Sequence, residues 1–151
     1  MSLQAIIRPA RASDAVKLHA IARGAYAKYV ERIGREPAPM SADYAAAIAA
    51  GHVIVIEGGG EIAGYLIGWA EADSYFIENV AVDPAHQGRG LGRTLLQEAL
   101  AQAQKLELPA VVLYTNAAMT ENLSFYAHFG FVETHRAVED GYDRVYMRRA
   151  V

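Results

Sequence analysis

Cysteine is absent from this chain of 151 residues. That excludes disulfides, thiolate metal sites and a cysteine nucleophile, and it fits a cytoplasmic protein. Long apolar runs are absent as well. The longest are of strand length, broken by charges or glycines, and none approaches the roughly 20 apolar residues that a membrane span requires. The segment from Met1 to Pro9 shows no basic region followed by an apolar stretch and a small-residue cleavage site, so no signal peptide is expected. Nor is there a surplus of positive charge. With 14 basic and 17 acidic residues the formal net charge is −3, which argues against a nucleic-acid-binding surface. Arg144, Arg148 and Arg149 cluster near the end, as on a solvated strand face. Internal repeats, low-complexity tracts and long polar stretches are missing too, which argues against disorder.

Hydrophobic residues make up 53% of the chain, enough to fill the core of one domain of this length, residues 1–151. The local patterns give an alternating order of elements. Ile6 to Arg8 reads as a first strand closed by Pro9. Ser13 or Asp14 can cap a helix whose apolar positions Leu18, Ile21, Ala22, Ala25, Tyr26 and Tyr29 recur at helical spacing. Gly34 to Met40 breaks the pattern with two prolines. Ser41 or Asp43 opens a short alanine-rich helix that ends at Gly51. Val53 to Glu57 and Glu61 to Ala70 are strands joined by a glycine hairpin turn, and Tyr75 to Val82 is the next strand. Gly90 to Lys105 is a helix with Leu91, Leu95, Ala99, Leu100 and Ala103 on one face. Ala110 to Tyr114 is a strand, Met119 to Phe129 a helix ended by Gly130. Phe131 to Ala137 and Arg144 to Arg148 are strands around a turn at Glu139 to Gly141. Hairpins pair antiparallel, and one strand–helix–strand crossover gives a parallel pair. The expected fold is therefore mixed α/β, with a mostly antiparallel central sheet flanked by helices.

The run from Val80 to Leu96 carries the most chemistry. An apolar strand stops at Asp83-Pro84, crosses the glycine-rich stretch Gln87-Gly88-Arg89-Gly90-Leu91-Gly92-Arg93 and enters a helix. Free backbone N–H groups and the positive end of a helix dipole are thereby offered to an anion. A P-loop is excluded twice: the residue five before Gly92 is Gln87, and Arg93 follows where lysine is required. A dinucleotide fingerprint begun at Gly88 needs a third glycine at Arg93, and it should open the first strand–helix unit. Neither condition is met.

The strand before this loop is apolar on both faces. One row is Tyr75, Ile77, Asn79 and Ala81, and the other is Phe76, Glu78, Val80 and Val82. Glu78 is a carboxylate in an otherwise apolar row. Partial burial is expected to raise its pKa, which suits a general base near neutral pH. His86, His128 and His135 are rival titrating groups, each read as a surface or helix-end histidine.

The spacing Gln87-x-x-Gly90-x-Gly92 directly after Val-Ala-Val-Asp-Pro resembles the pyrophosphate-binding motif of the GCN5-related N-acetyltransferases. A second resemblance lies in Glu121 to Phe131, which ends in a tyrosine followed by a Gly-aromatic pair. Together they cover roughly Val53 to Met147. The resemblance implies an acyl-CoA N-acyltransferase-like fold and transfer of an acetyl group from acetyl-CoA to a primary amine, without a metal. It implies a diphosphate held by Gln87, Gly88, Arg89, Gly90, Leu91, Gly92 and Arg93. It further implies a pantetheine arm along Val80, Ala81 and Val82, with a main-chain N–H near Val80 for the oxyanion. In this light Glu78 is the candidate base, acting through water, and Tyr126 the acid for the departing thiolate. The sequence departs from the family where asparagine is common seven residues before that tyrosine. Met119 stands there, and Asn122 is carried over as the cofactor-side amide. Acceptor walls are expected from Tyr26, Tyr29, Arg32, Arg35, Met40 and Tyr142. The acceptor is a small-molecule or peptide amine, and association as a homodimer is left open. The alternative is a module of the same fold that senses acyl-CoA without turnover.

Overall fold

The structure, a computed structural model, describes residues 5–151. The expected absence of a leader over Met1–Gln4 lies outside the described residues. Seven strands form one sheet in the order β1-β2-β3-β4-β5-β7-β6: β1 Ala5–Pro9, β2 Val53–Gly58, β3 Glu61–Ala70, β4 Tyr75–Val82, β5 Ala110–Asn116, β6 Val132–Glu139 and β7 Tyr142–Ala150. Every neighbouring pair is antiparallel except β4 and β5. The five helices are α1 Ala15–Tyr26, α2 Val30–Ile33, α3 Tyr44–Ala49, α4 Leu91–Lys105 and α5 Thr120–His128. None of the described helices is long and apolar enough to cross a membrane.

Alternation along the central strands divides the core between the two faces of the sheet. Leu18, Ile21, Ala22 and Tyr26 of α1 and Tyr44 of α3 cluster with Val53, Val55, Tyr65 and Ile67 on one face. Leu91, Leu95, Leu96, Ala99 and Ala103 of α4 cluster with Ile56, Leu66, Val111 and Leu113 on the other, joined by Tyr126 of α5 and by Phe129 just past its end. Strand β3 is buried on both sides over most of its length, as a strand covered by helices above and below must be. Each fully buried leucine such as Leu95 contributes roughly 1.5–3 kcal/mol by leaving water. The start of α1 is tied to the sheet by a part-buried ion cluster. Arg8 Nε contacts Glu57 at 2.7 Å and Arg8 Nη1 contacts Asp14 at 2.9 Å, while Asp14 Oδ2 accepts the Arg11 N–H at 2.7 Å. The hydrogen bond from Arg8 holds the Asp14 carboxyl below the usual carboxylate range.

The periodicity extends the first helix to Tyr29, but the chain tightens into a 3-10 turn over Ala27–Tyr29 before the short α2. A second 3-10 turn, Ala38–Met40, sits between the prolines and α3. The larger departure is in β4. Ile67 of β3 lies opposite Asn79, yet Gly68 lies opposite Ile77, so Glu78 is an extra residue, a β-bulge. The bulge resets the alternation. Ile77 and Val80 face the α4 side together, while Ala81 faces the α1 side. Past the bulge β4 stays with β3 as far as Val82, opposite Gly64. Strand β5 pairs with β4 only from Val111 to Leu113 and then follows β7 as far as Asn116, opposite Arg144. The sheet opens between β4 and β5, consistent with the local bend and added twist a bulge produces.

Candidate functional site

The open seam begins at the glycine loop. Strand β4 is followed by Asp83, whose Oδ1 accepts the Ala85 N–H at 3.0 Å and shapes a 3-10 turn over Pro84–His86. Gly88 and Gly90 then adopt φ of +84° and +75°, a region in which an L side chain is strained. The chain enters α4 from Gly90 with no side-chain cap. The first helical bond runs from Thr94 N to Gly90 O at 3.1 Å. Among the described residues none of the N–H groups from Gly88 through Arg93 has a partner within the protein. They converge with the positive end of the helix dipole on one groove, which is the electrostatic requirement for a bound diphosphate. The groove has a volume of about 390 Å³ and runs past Val82, Gln87, Gly92 and Arg93 to Phe125 and Tyr126. Gly92 lets Phe125 come close: a Cβ there would sit 3.1 Å from Phe125 Cζ, so the ring would have to shift by a few tenths of an ångström.

A second cavity, of about 160 Å³, fills the gap between β4 and β5. Its floor comes from Ile77 to Val80 and Leu113 to Asn116, and its roof from Pro37 to Pro39, Tyr142 and Arg144. Tyr26, Val80, Asn122 and Tyr126 line both cavities. A ligand in the groove and a ligand in the second cavity therefore share a wall at these residues.

Main-chain direction follows from the ladder. Asp83 N donates to Ala63 O at 2.7 Å, so alternation turns the N–H and C=O of Ala81 toward β3 and those of Val80 and Val82 toward the open seam. There the Val80 carbonyl accepts the Tyr26 hydroxyl at 2.9 Å, and the Val82 carbonyl accepts Gln87 Nε2 at 3.2 Å. The Tyr26 hydroxyl also reaches Asn79 Oδ1 at 3.1 Å, while Asn79 Nδ2 donates to the Tyr44 hydroxyl at 3.0 Å. Tyr44 in turn bonds the Pro39 carbonyl at 2.6 Å and the Tyr65 hydroxyl at 2.9 Å. This buried network satisfies both ends of the Asn79 amide, as a polar group in a core must be. It ties the roof at Pro39 to the open edge of β4. Burial pushes the Tyr26 and Tyr65 phenols well above their ordinary range, and the Tyr44 phenol up.

Tyr126 is 6% exposed. Its ring packs on Phe125 and Phe131, and among the described residues its hydroxyl has no hydrogen-bond partner. Burial, with Tyr29 nearby, pushes its phenol well above the ordinary value, so the group is a neutral hydroxyl at physiological pH. Asn122 Nδ2 lies 3.6 Å from Met119 Sδ, as does Thr115 Oγ1. Met119 thus anchors the start of α5 in the core, where asparagine is common in the resembled family.

Several expectations need correction. Glu78 is exposed: the bulge lifts it out of the apolar row in which alternation placed it, so the expected partial burial is absent. It lines the second cavity, where it is the sole carboxylate among the lining residues. Met40 is buried in the core with α1 and α3, away from the second cavity, because the 3-10 turn rotates it inward. Tyr29 lines the groove instead of the second cavity. Arg32 is held at the surface by Glu121 at 2.5 Å, and that bond draws the Glu121 carboxyl down to about 2. Arg89 turns from the groove to His86 Nδ1 at 3.3 Å. His86 is buried between Arg89 and Glu61, which makes it a structural histidine. His128 and His135 are exposed, the latter stacked on Tyr146. Sequence reasoning missed Asn79, whose signal was an amide inside a continuous apolar strand. It also missed Tyr114, Asn116 and Arg144, which no local pattern marks. Among the described residues no three His, Asp or Glu side chains are grouped to hold a metal ion.

The profile of the Acetyltransferase (GNAT) family matches residues 17–131. The chain belongs to the acetyltransferase (GNAT) family. Within it, a mycothiol acetyltransferase of Nocardia farcinica is 43% identical over 56 residues, which are 37% of this chain and 18% of the relative. A ribosomal protein bS18-alanine N-acetyltransferase of Escherichia coli is 31% identical over 74 residues, 49% of this chain and 50% of the relative. This acetyltransferase-family chain therefore spans about half or less of the curated relatives it matches. The fold is shared with a PaiA N-acetyltransferase of Thermoplasma acidophilum crystallised in complex with coenzyme A, with a TM-score of 0.82 at 19% identity over 98% of this chain and 99% of that one.

Proposed function

We propose that this chain transfers an acetyl group from acetyl-CoA to a primary amine of a small molecule or peptide, by direct attack with both substrates bound. One observation carries the reading: the groove with the free N–H cradle and the cavity in the seam share a wall at Tyr26, Val80, Asn122 and Tyr126. The donor supplies an activated thioester. The residues that fit it are the N–H groups from Gly88 to Arg93 for the diphosphate, with Gln87 and Arg93 at the rim, and the open edge at Val80 and Val82 for the pantetheine arm. The Val80 N–H is aimed into the seam and can meet the negative charge that develops on the acyl oxygen. Holding the amine in the second cavity removes much of the entropic barrier to attack.

Proton transfer falls to two side chains. Glu78, exposed at the cavity, takes the ammonium proton through water. Tyr126, neutral and unpartnered, gives a proton to the departing thiolate. A sensor that bound acyl-CoA without turnover would use the cradle alone. The adjoining cavity with its carboxylate and its free phenol favours the enzyme.

Thiol release from acetyl-CoA against a panel of polyamines, amino acids, aminoglycosides and N-terminal peptides tests the reading. The chain has no cysteine, so any thiol detected comes from the donor. Turnover with at least one amine is expected, and tight CoA binding without any turnover would sink the enzyme. Glu78→Gln should lower kcat by about 10²-fold. It should also flatten the acid limb of the pH–rate profile, because glutamine has no carboxylate to protonate as pH falls. An unaltered profile would assign the base to another group or to water.

A further inference from the structure

Resting on the acetyl-transfer reading, we propose that the acceptor is an amino-acid-like molecule, whose amine carries a neighbouring carboxylate, and that Arg144 binds that carboxylate. Arg144 lies on β7 opposite Asn116 and lines the second cavity. Its side chain is only 16% exposed, and the guanidinium stacks on the Tyr114 ring at 4.4 Å. Glu139 and Asp140 pair with it loosely, each at 3.6 Å, beyond direct hydrogen-bond distance. Glu139 is engaged by the Tyr146 hydroxyl, and Asp140 is 83% exposed. The guanidinium is thus held in a partly desolvated wall by loose ion pairs at 3.6 Å, which a ligand carboxylate at direct hydrogen-bond distance can outcompete by bidentate contact.

The same cavity carries Glu78 with the opposite charge. One guanidinium and one carboxylate on the lining of a single small cavity complement a molecule that has one ammonium and one carboxylate.

The roof argues for a free amino acid over a polypeptide. The Tyr142 hydroxyl donates to the Glu36 carbonyl at 2.7 Å, and the Arg35 guanidinium lies 3.5 Å from the centre of the Tyr142 ring and donates to the Asp140 carbonyl. These contacts clasp the segment after α2 to the β6–β7 turn, and both clasped segments border the cavity. An extended chain crossing the cavity would have to open the clasp.

The experiment compares amino acids with their decarboxylated counterparts: phenylalanine with phenethylamine, histidine with histamine. KM for the carboxylate-bearing member should be lower by about tenfold or more, the worth of a charge-assisted hydrogen bond, and Arg144→Gln should bring the ratio to about one. Equal KM values in the wild type, or a preference that survives in R144Q, overturns the inference. A binding arm separates this from failure of the enzyme reading. With CoA present, N-acetylphenylalanine should bind the wild type more tightly than N-acetylphenethylamine by calorimetry, whether or not any amine is turned over, and equal affinities overturn the proposal. Arg144→Lys keeps a charge beside Glu139 and Asp140 and serves as the folded control. It should bind N-acetylphenylalanine more weakly than the wild type, and unchanged affinity also overturns it.

Discussion

Tyr126 lines both cavities, and its environment fixes its protonation state. Burial raises its phenol well above the ordinary value, so the neutral form persists through the whole range in which the protein is handled. Removal of its hydroxyl in Tyr126→Phe should lower kcat by about tenfold, at the low end for a general acid because a thiolate leaves readily, with CoA affinity nearly unchanged. Steady-state kinetics and CoA titration check both parts, and an unchanged kcat removes Tyr126 from the mechanism. The same shift predicts the sign of a pH effect. In the proposed role the acid form is the active one, and its pKa is raised, so Tyr126 should contribute no fall in rate up to about pH 10, the ordinary tyrosine value.

At the level of elements, two interruptions of regular structure make the site: the loop before α4 and the bulge in β4. Gly90 holds φ at +75°, and a Cβ there meets no atom within 4 Å, so Gly90→Ala acts through backbone strain of about 1–2 kcal/mol. Relief of that strain turns the N–H cradle, and CoA affinity should drop by about tenfold. Gly34, at φ +86° with equally open space, ends α2 away from the cradle. Gly34→Ala should cost similar stability with no loss of CoA affinity, and equal losses in both variants would show that the loop geometry does not matter. The glycine loop, the order of elements and the antiparallel pairing were legible because turns, caps and apolar periods are local signals. The bulge was not. Strict alternation put Glu78 in an apolar row, whereas the extra residue leaves it exposed and turns Asn79 into the core network. Nor could local pattern show that Tyr29 belongs to the groove, that Met40 is core or that Arg89 turns to His86. Tyr29 and Met40 each lie in a 3-10 turn that apolar spacing does not mark, and the turn of Arg89 to His86, three residues away, has no spacing signal.

For the whole molecule, the groove proposed for the donor is formed only in the folded state, so CoA should stabilise the fold. At 100 times its Kd the expected gain is about 2.7 kcal/mol, or about 5–10 °C in Tm for a domain of this size. Differential scanning fluorimetry reads this directly, and no shift at millimolar CoA would remove the donor site. The two cavities meet only at Tyr26, Val80, Asn122 and Tyr126. In the proposed reading, substitutions in the clasped roof can therefore drift without touching the cradle, so the choice of amine can be exchanged while the handle for the donor is inherited intact.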